Sequence, residues 1–350
     1  MQAIKRVTKF IYQRYLILAM GSMAQGLFAS LIIGLIFSQL AKIPGLSFLV
    51  LEVDGVNLLG AQSPVIGAAI GVAVAYGLKS APLAIFSAAG TGAFAYAIGG
   101  GPMGAYLAAI ASAECGRLVA GKTPIDIVLV PFTAILAGGL VGKVCGPAVG
   151  DFMVWLGTVV NEATRLQPFL MGIVVSAVMG LVLTAPISSA ALAISMGLTG
   201  LAAGASTAGC CAHMVGFAVA SYAANGVGGL LSQGLGTSML QVPNILRKPA
   251  ILMPAVCTSV IMGPVATMLL TIENNPAGAG MGTSGLVGPI NAWISMTAAS
   301  MEGWPWTLAK ILLVCVVLPA VLAWLFNRLF VRLGWYKNEH MKLTPAKKND

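Results

Sequence analysis

The chain has 350 residues, of which 58% are hydrophobic and only 8% are charged. Soluble domains carry about 25% charged residues, so this composition excludes a protein whose whole surface faces water. Long apolar runs that include many of the 43 glycines favour a packed bundle of membrane helices over a β-barrel, which needs short alternating strands.

The net charge of +9 is concentrated at the two ends of the chain. Ten of the 19 basic residues lie within positions 5–14 and 328–348. Basic ends that flank apolar helices are an orientation signal in membrane proteins. No basic and aromatic motif accompanies the charge, so nucleic acid is not an expected partner.

The first apolar run, Leu16–Leu40, is longer than the core of about 7–15 residues that a signal peptide has, which predicts a retained first helix. A spanning helix needs about 20 mostly apolar residues. The pattern therefore predicts an all-α integral membrane protein with about ten transmembrane helices, and several of these are short enough to be tilted or broken. In chain order the predicted spans are Leu16–Leu40, Pro64–Leu78, Pro82–Ile98, Met103–Cys115, Ile125–Val144, Pro168–Leu183, Ser188–Ala203, Gly209–Ala224, Ala250–Ile272 and Trp306–Phe330.

Ten crossings with both termini in the cytoplasm place 15 of the 19 basic residues on the cytoplasmic side. This distribution obeys the positive-inside rule and predicts a multi-pass protein of the cell inner membrane. Residues 1–335 are interpreted as one transmembrane domain and residues 336–350 as a basic cytoplasmic tail.

Three glycine-rich segments interrupt the apolar pattern: residues 99–102, 226–242 and 274–296. Non-helical backbone at membrane depth is tolerated only where it is buried in protein or lines an aqueous cavity. We therefore interpret these segments as re-entrant hairpins or unwound helix breaks, where transporters place their substrate sites.

A weak internal similarity in the sequence suggests two structural repeats. Pro64 and Pro186 each open a run of small residues, and Pro131 and Pro254 follow each of them by about 67 residues. An inverted arrangement of the two repeats would require residues 226–242 to cross the membrane as well.

Ionisable residues inside apolar segments are costly and need a reason. Glu114 precedes Arg117 by three residues, a spacing that predicts an ion pair at a helix end, while the alternative is a carboxylate at a pore mouth. His213 lies within a predicted span, either as a hydrogen-bonded packing residue or as a group that contacts a hydroxyl-rich solute or relays a proton.

The triplet Glu273, Asn274 and Asn275 opens the third glycine-rich segment. It is either a capped helix end or a binding site, because a carboxylate, carboxamides and exposed backbone suit multiple hydrogen bonds to a polyol. Ser284 and Asn291 are expected to face the same cavity if the segment folds back.

No metal, cofactor or catalytic site is predicted. The six cysteines are interpreted as small buried residues, and Cys210, Cys211 and His213 fall short of the four ligands that a structural zinc site needs. The chain lacks an H-E-x-x-H motif and a G-x-S-x-G elbow.

The segments TIENNPAGAGMGTSGLVGPI and LTAPISSAALA, with the basic stretch before the first span, resemble enzyme IIC-like membrane proteins of the sugar phosphotransferase system. The most similar group is the branch that includes the perfringolysin regulator-like proteins. The resemblance covers most of residues 1–335.

The resemblance implies a homodimeric sugar permease that binds its solute near a carboxylate and a histidine, here matched to Glu273 and His213. It also implies that any sugar phosphorylation depends on separate IIA and IIB proteins, since this chain has neither domain. Two alternatives stay open: a membrane-embedded sensor or regulator without net transport, and a secondary transporter of an organic anion.

Overall fold

A computed structural model describes residues 10–41, 45–53, 55–60, 62–299 and 304–343. The basic residues Lys5, Arg6 and Lys9 and positions 344–350 lie outside this part of the chain. The described residues are mainly helical and form two compact units, Met1–Val159 with Pro186–Leu192 and Val160–Ala185 with Ala193–Asp350.

The first unit is mainly helical in its described residues and contains one small antiparallel strand pair, β1 (Glu52–Val53) and β2 (Val56–Asn57). Its helices are α1 (Tyr12–Leu40), α2 (Pro64–Gly77), α3 (Pro82–Ala95), α4 (Gly101–Val119) and α5 (Asp126–Thr164). Ser63 caps α2 by accepting a hydrogen bond from the backbone N–H of Val65, and Pro64 begins the helix.

Helices α3 and α4 are the two arms of an antiparallel hairpin, as the sequence interruption at residues 99–102 predicts. Gly99 and Gly101 have φ of +96° and +53°, conformations that glycine adopts without a steric penalty. The arms face each other through the hydroxyls of Thr91 and Ser112, which are 2.8 Å apart. The predicted spans Pro82–Ile98 and Met103–Cys115 correspond to these arms.

Helix α5 is longer than predicted. The expected span Ile125–Val144 continues without interruption to Thr164, which gives 39 residues and a length of about 58 Å. Pro147 does not end the helix. A proline removes one backbone donor and crowds the preceding turn, but membrane helices tolerate this when neighbouring groups satisfy the backbone.

The second unit is built around one buried helix. The helices from residue 168 onward are, in chain order, α6 (Pro168–Thr184), α7 (Ser189–Ser195), α8 (Gly200–Ala220), α9 (Tyr222–Leu231), α10 (Val242–Arg247), α11 (Pro249–Leu269), α12 (Pro276–Ala279), α13 (Val287–Ala299) and α14 (Pro305–Arg332). All of them belong to the second unit except the first part of α7, up to Leu192. Residues 203–218 of α8 are all buried, and α6, α11 and α14 pack against this helix.

The boundaries predicted around α8 are wrong. The expected spans Ser188–Ala203 and Gly209–Ala224 are replaced by the short α7 and the 21-residue α8. The chain breaks between them because Gly197 and Gly200 both have φ of +60°, which stops a right-handed helix.

Six helical segments in the described chain are long and apolar enough to cross a membrane, and two shorter apolar helices, α2 and α6, accompany them. One of the six, Pro82–Val119, is the α3–α4 hairpin. The prediction of about ten crossings and of two structural repeats therefore stays a prediction.

The last described residues, Tyr336–Leu343, turn back onto the second unit, and we call them the C-terminal strap. Met341 is fully buried in a core cluster with Phe217 and Ile251. The carbonyl of Met341 accepts hydrogen bonds from the side-chain amides of Asn225 and Gln241. The described part of the predicted tail is thus packed structure.

Candidate functional site

Residues 270–286, which we call the polar loop, connect α11 to α13. Short helical turns alternate with irregular backbone along it, as the glycine-rich sequence predicts. Residues 278–285 are all buried. The loop is therefore irregular backbone enclosed by protein, the setting in which such backbone is tolerated within a membrane bundle.

The polar loop is fixed to α8 at both of its ends. Asn274 and Gly200 exchange two backbone hydrogen bonds of 3.0 and 3.2 Å. The carbonyl of Ile272 lies so close to Gly204 that no side chain fits between them. At the other end Gly282 has φ of +53°, and a Cβ there would lie 2.8 Å from the backbone of Cys210.

Asn274 is a structural anchor of the loop. Its side-chain amide donates to Thr207 Oγ1 at 2.7 Å and to the carbonyl of Gly288 at 3.1 Å. Its side-chain oxygen accepts from the backbone N–H of Asn275 at 2.8 Å. All of its hydrogen-bonding groups therefore have partners within the protein.

Asn275 caps helix α12 and joins it to α13. Its side-chain oxygen accepts from the backbone N–H of Gly278, and its amide donates to Asn291 Oδ1 at 3.2 Å and Ser295 Oγ at 3.3 Å. Asn291 in turn donates to the carbonyl of Val287 at 2.9 Å. The structure thus brings the three predicted asparagines into one network.

Glu273 differs from its two neighbours. Its side chain is exposed, whereas Asn274 is buried, so the carboxylate and that carboxamide do not share one environment. Asn274 lies in an isolated β-bridge with Gly200, and in β-structure successive side chains point in opposite directions.

His213 lies at the centre of a buried hydrogen-bonded chain. Its Nδ1 is 2.8 Å from Thr184 Oγ1, which is 2.9 Å from Ser238 Oγ. The ring packs against Gly180, where a Cβ would lie 2.9 Å from Nε2. Nε2 itself is buried and has no hydrogen-bond partner among the described residues.

Ser284 carries a second buried polar atom, Oγ, that lacks a partner in the described chain. The adjacent Thr283 donates to the carbonyl of Gly234 and lies 3.7 Å from Met214 Sδ. Because Met214 follows His213, the loop tip and the His213 region belong to one packed part of the second unit. That His213 and the polar loop share one solute site stays a prediction.

Glu114 belongs to the first unit and forms the ion pair that its spacing predicts. Its carboxylate contacts Arg14 at 2.6 Å and Arg117 at 3.3 Å. Arg14 also donates to the carbonyl of Leu78 at 3.1 Å. This arrangement joins α1, α4 and the end of α2.

The sequence interpretation did not identify Thr184 and Ser238, the hydroxyls that hold His213 and its neighbourhood. Both lie at the edges of glycine- and proline-rich stretches, LTAPISSA and SQGLGTSML. Hydroxyl residues where a membrane helix ends beside such a break are the signal that could have identified them.

A family model described as "Phosphotransferase system, EIIC" matches residues 17–343, almost the whole chain. The chain belongs to the EIIC family of the phosphotransferase system. This EIIC protein is accordingly a multi-pass membrane protein for sugar-type transport that works with separate phosphotransferase components. Comparisons with curated proteins and with solved structures gave no significant match.

Proposed function

We propose that this EIIC protein transports a sugar or sugar derivative and binds it beside the polar loop, through His213, Ser284 and Glu273. The observation that carries the proposal is that two of the four buried polar atoms without a partner in the described chain, His213 Nε2 and Ser284 Oγ, belong to the predicted site residues. Buried polar atoms nearly always have hydrogen-bond partners, so a bound solute is a natural source of the missing ones.

The chemistry of these groups suits a polyhydroxylated solute. A neutral imidazole nitrogen can donate or accept according to its tautomer, and Ser284 can do both, as each sugar hydroxyl can. The Glu273 carboxylate offers two acceptor oxygens from an exposed position at the loop. Together the three side chains provide hydrogen bonds without a positive charge, which favours a sugar over an organic anion.

The asparagines have a supporting role in this proposal. Asn274, Asn275 and Asn291 were expected to contact the solute directly, but their amides are engaged within the protein. We propose that they fix the loop so that Ser284 and Glu273 keep their positions. Glu114, with two arginine partners, is proposed to stabilise the first unit.

The remaining features of the protein follow from the same proposal. We expect a homodimer in the cell inner membrane with both termini in the cytoplasm, where a separate IIB protein phosphorylates the solute. The basic residues concentrated on the predicted cytoplasmic side support this orientation.

The proposal is tested by uptake of a panel of labelled sugars and polyols into proteoliposomes that contain the purified protein. Glu273→Gln is expected to lower kcat/KM at least tenfold. Glu162→Gln is the matched control, because Glu162 is exposed and pairs only with Arg165 among the described residues. Equal uptake by both variants, or no uptake of any panel member, would contradict the proposal, and binding without flux would favour a sensor.

A further inference from the structure

A basic cavity lies between α10 and the C-terminal strap, outside the region proposed to bind the transported solute. Its volume is about 460 Å³. We call it the basic basin, and it is lined by Asn244, Arg247, Lys248, Glu339, His340, Lys342 and Leu343. Small-molecule sites span about 300–1,000 Å³, so the basin can hold an anionic group together with a small organic part.

Three cations face one carboxylate in the basin. Arg247, Lys248 and Lys342 line it together with Glu339, and none of the three is within ion-pair distance of a carboxylate in the described chain. Like charges in one cavity repel each other. An anion that bridges them would remove this repulsion and form charge-assisted hydrogen bonds, especially with the planar Arg247 guanidinium.

The histidine in the wall adds a donor. His340 Nδ1 accepts the backbone N–H of Lys337 at 2.9 Å, so the neutral ring carries its proton on Nε2. The side-chain amide of Asn244 is not available to a ligand, because it already donates to Gln241 Oε1 and to the carbonyl of Lys342. The latter bond joins α10 to the strap, and the basin lies across this junction.

We propose that the basic basin binds a phosphate monoester and thereby ties the C-terminal strap to α10. A phosphate dianion matches the excess of two positive charges and offers several acceptor oxygens to Arg247, the two lysines and His340. The strap follows the last membrane helix closely, since α14 ends at Arg332. Such a position can meet either an anionic lipid headgroup or a free phosphorylated metabolite.

The test uses the full chain in nanodiscs and two probes. Labelled glycerol 3-phosphate is added to protein in phosphatidylcholine nanodiscs, and protein in nanodiscs containing phosphatidic acid is compared with the phosphatidylcholine sample. Binding is measured directly, and hydrogen exchange is followed at the amides of Lys342 and Leu343 in the strap. Leu343 N–H donates to Asn225 Oδ1, so its exchange reports whether the strap is docked.

The basin variant Arg247→Gln with Lys342→Gln is expected to weaken binding of the phosphate monoester at least tenfold. It should also remove the protection from hydrogen exchange that the bound phosphate monoester gives to the amides of Lys342 and Leu343. Its control, Arg332→Gln with Lys337→Gln, removes the same charge at exposed positions that do not line the basin. The charge-conserving variant Arg247→Lys with Lys342→Arg is expected to retain binding, which separates ligand contact from a folding defect.

Protection by glycerol 3-phosphate would support a soluble ligand, and protection by phosphatidic acid alone would support a lipid headgroup. The proposal is overturned if neither probe binds, or if the basin and control variants lose binding equally. Because the readouts do not involve sugar uptake, failure of this proposal leaves the proposed transport function untouched.

Discussion

At the scale of single residues, the buried polar side chains of the second unit fall into two groups. Asn274 and Ser206, for example, have partners within the protein, whereas His213 Nε2, Ser284 Oγ and Thr307 Oγ1 have none in the described chain. Removing a satisfied group leaves a partner unpaired and costs stability, but removing an unsatisfied group does not. Stability and transport should therefore respond oppositely in the two groups.

Ser284→Ala is expected to leave the melting temperature unchanged or slightly raised, because the hydroxyl makes no hydrogen bond that the substitution could break. The KM for the transported solute should rise about threefold to tenfold, the equivalent of one lost hydrogen bond. Ser206→Ala is the control: it leaves the Ala279 carbonyl without its 2.6 Å donor and should destabilise the protein by about 1 kcal/mol. An unchanged KM in Ser284→Ala would remove Ser284 from the proposed site.

The two nitrogens of His213 can be separated by substitution. In His213→Asn the amide can replace Nδ1 and keep the contact with Thr184, while nothing replaces Nε2. This variant should fold and have a KM about tenfold higher, a change of about 1.4 kcal/mol. In His213→Gln the amide reaches toward the Nε2 position, so it should retain more solute affinity but lose stability. The reverse order of affinities would contradict a solute contact at Nε2.

The two arginines beside Glu114 should differ in their effect on stability. The Arg14 side chain is 14% exposed and bonds both Glu114 and the Leu78 carbonyl, whereas that of Arg117 is 46% exposed. Arg14→Gln should therefore cost about 1.5–3 kcal/mol, and Arg117→Gln less than about 1 kcal/mol. Thermal unfolding in detergent with unchanged sugar binding would confirm a structural role, whereas loss of binding in Glu114→Gln would support the pore-mouth alternative.

At the scale of elements, the polar loop shows what the sequence could and could not predict. Its irregular backbone was predictable, because Pro276 and the dense glycines disfavour a continuous helix. The predicted break at residues 274–296 was too long, since Pro289 lies in the first turn of α13. The start of α8 was not predictable. Gly197 and Gly200 resemble Gly204 and Gly209 in sequence, yet only the first two have positive φ. That difference depends on long-range contacts such as the bridge from Gly200 to Asn274.

The partners of His213 were hidden for the same reason. Thr184 and Ser238 are separated from it by 29 and 25 residues and belong to different elements. No local pattern joins them. The pairing of Glu114 with Arg117 was predictable because it is local to one helix turn, but the stronger contact with Arg14 spans 100 residues and was not.

The close approach of α8 to the polar loop predicts a difference between two glycines. Gly204→Ala places a methyl group against the Ile272 carbonyl, and this backbone cannot move without displacing the loop. We expect a loss of solute binding and a destabilisation of several kcal/mol, as for an overpacked core. Gly228→Ala, in α9 and in open space, should be neutral or slightly stabilising. The unfolding temperature and the sugar binding are measured for both variants. Equal values for Gly204→Ala and Gly228→Ala would contradict this account.

At the scale of the whole molecule, the family assignment and the composition agree on a membrane helix bundle, but a simple tally of apolar helices does not give the crossing number. The α3–α4 hairpin counts as one helix by continuity and as two by geometry, since Thr91 meets Ser112. Helix α5 has about twice the length that one crossing needs. The length of a helical segment alone therefore does not give its number of membrane crossings, either for a hairpin or for an unusually long helix.

The predicted tail shows a similar limit. The sequence was interpreted as a basic cytoplasmic tail from residue 336 onward, yet Met341 is fully buried and Tyr336 OH donates to Asn327 Oδ1 at 2.8 Å. A single apolar residue among charged ones is a weak sequence signal. Its burial depends on side-chain amides from α9 and α10, which lie about 100 residues earlier in the chain.

This packing predicts that the second unit depends on the strap for its stability. Met341→Ala removes a buried side chain from the cluster with Phe217 and Ile251 and should cost about 2–5 kcal/mol. Deleting residues 336–350 should be more damaging, because Asn225, Gln241 and Asn244 would also lose their carbonyl partners. Deleting only residues 344–350 keeps these three hydrogen bonds and should therefore lower the unfolding temperature less than the longer deletion does. If the protein without residues 336–350 unfolds at the wild-type temperature, the strap does not stabilise the fold. The proposal of a basic basin would then lose its support, because the basin requires a docked strap as one of its walls.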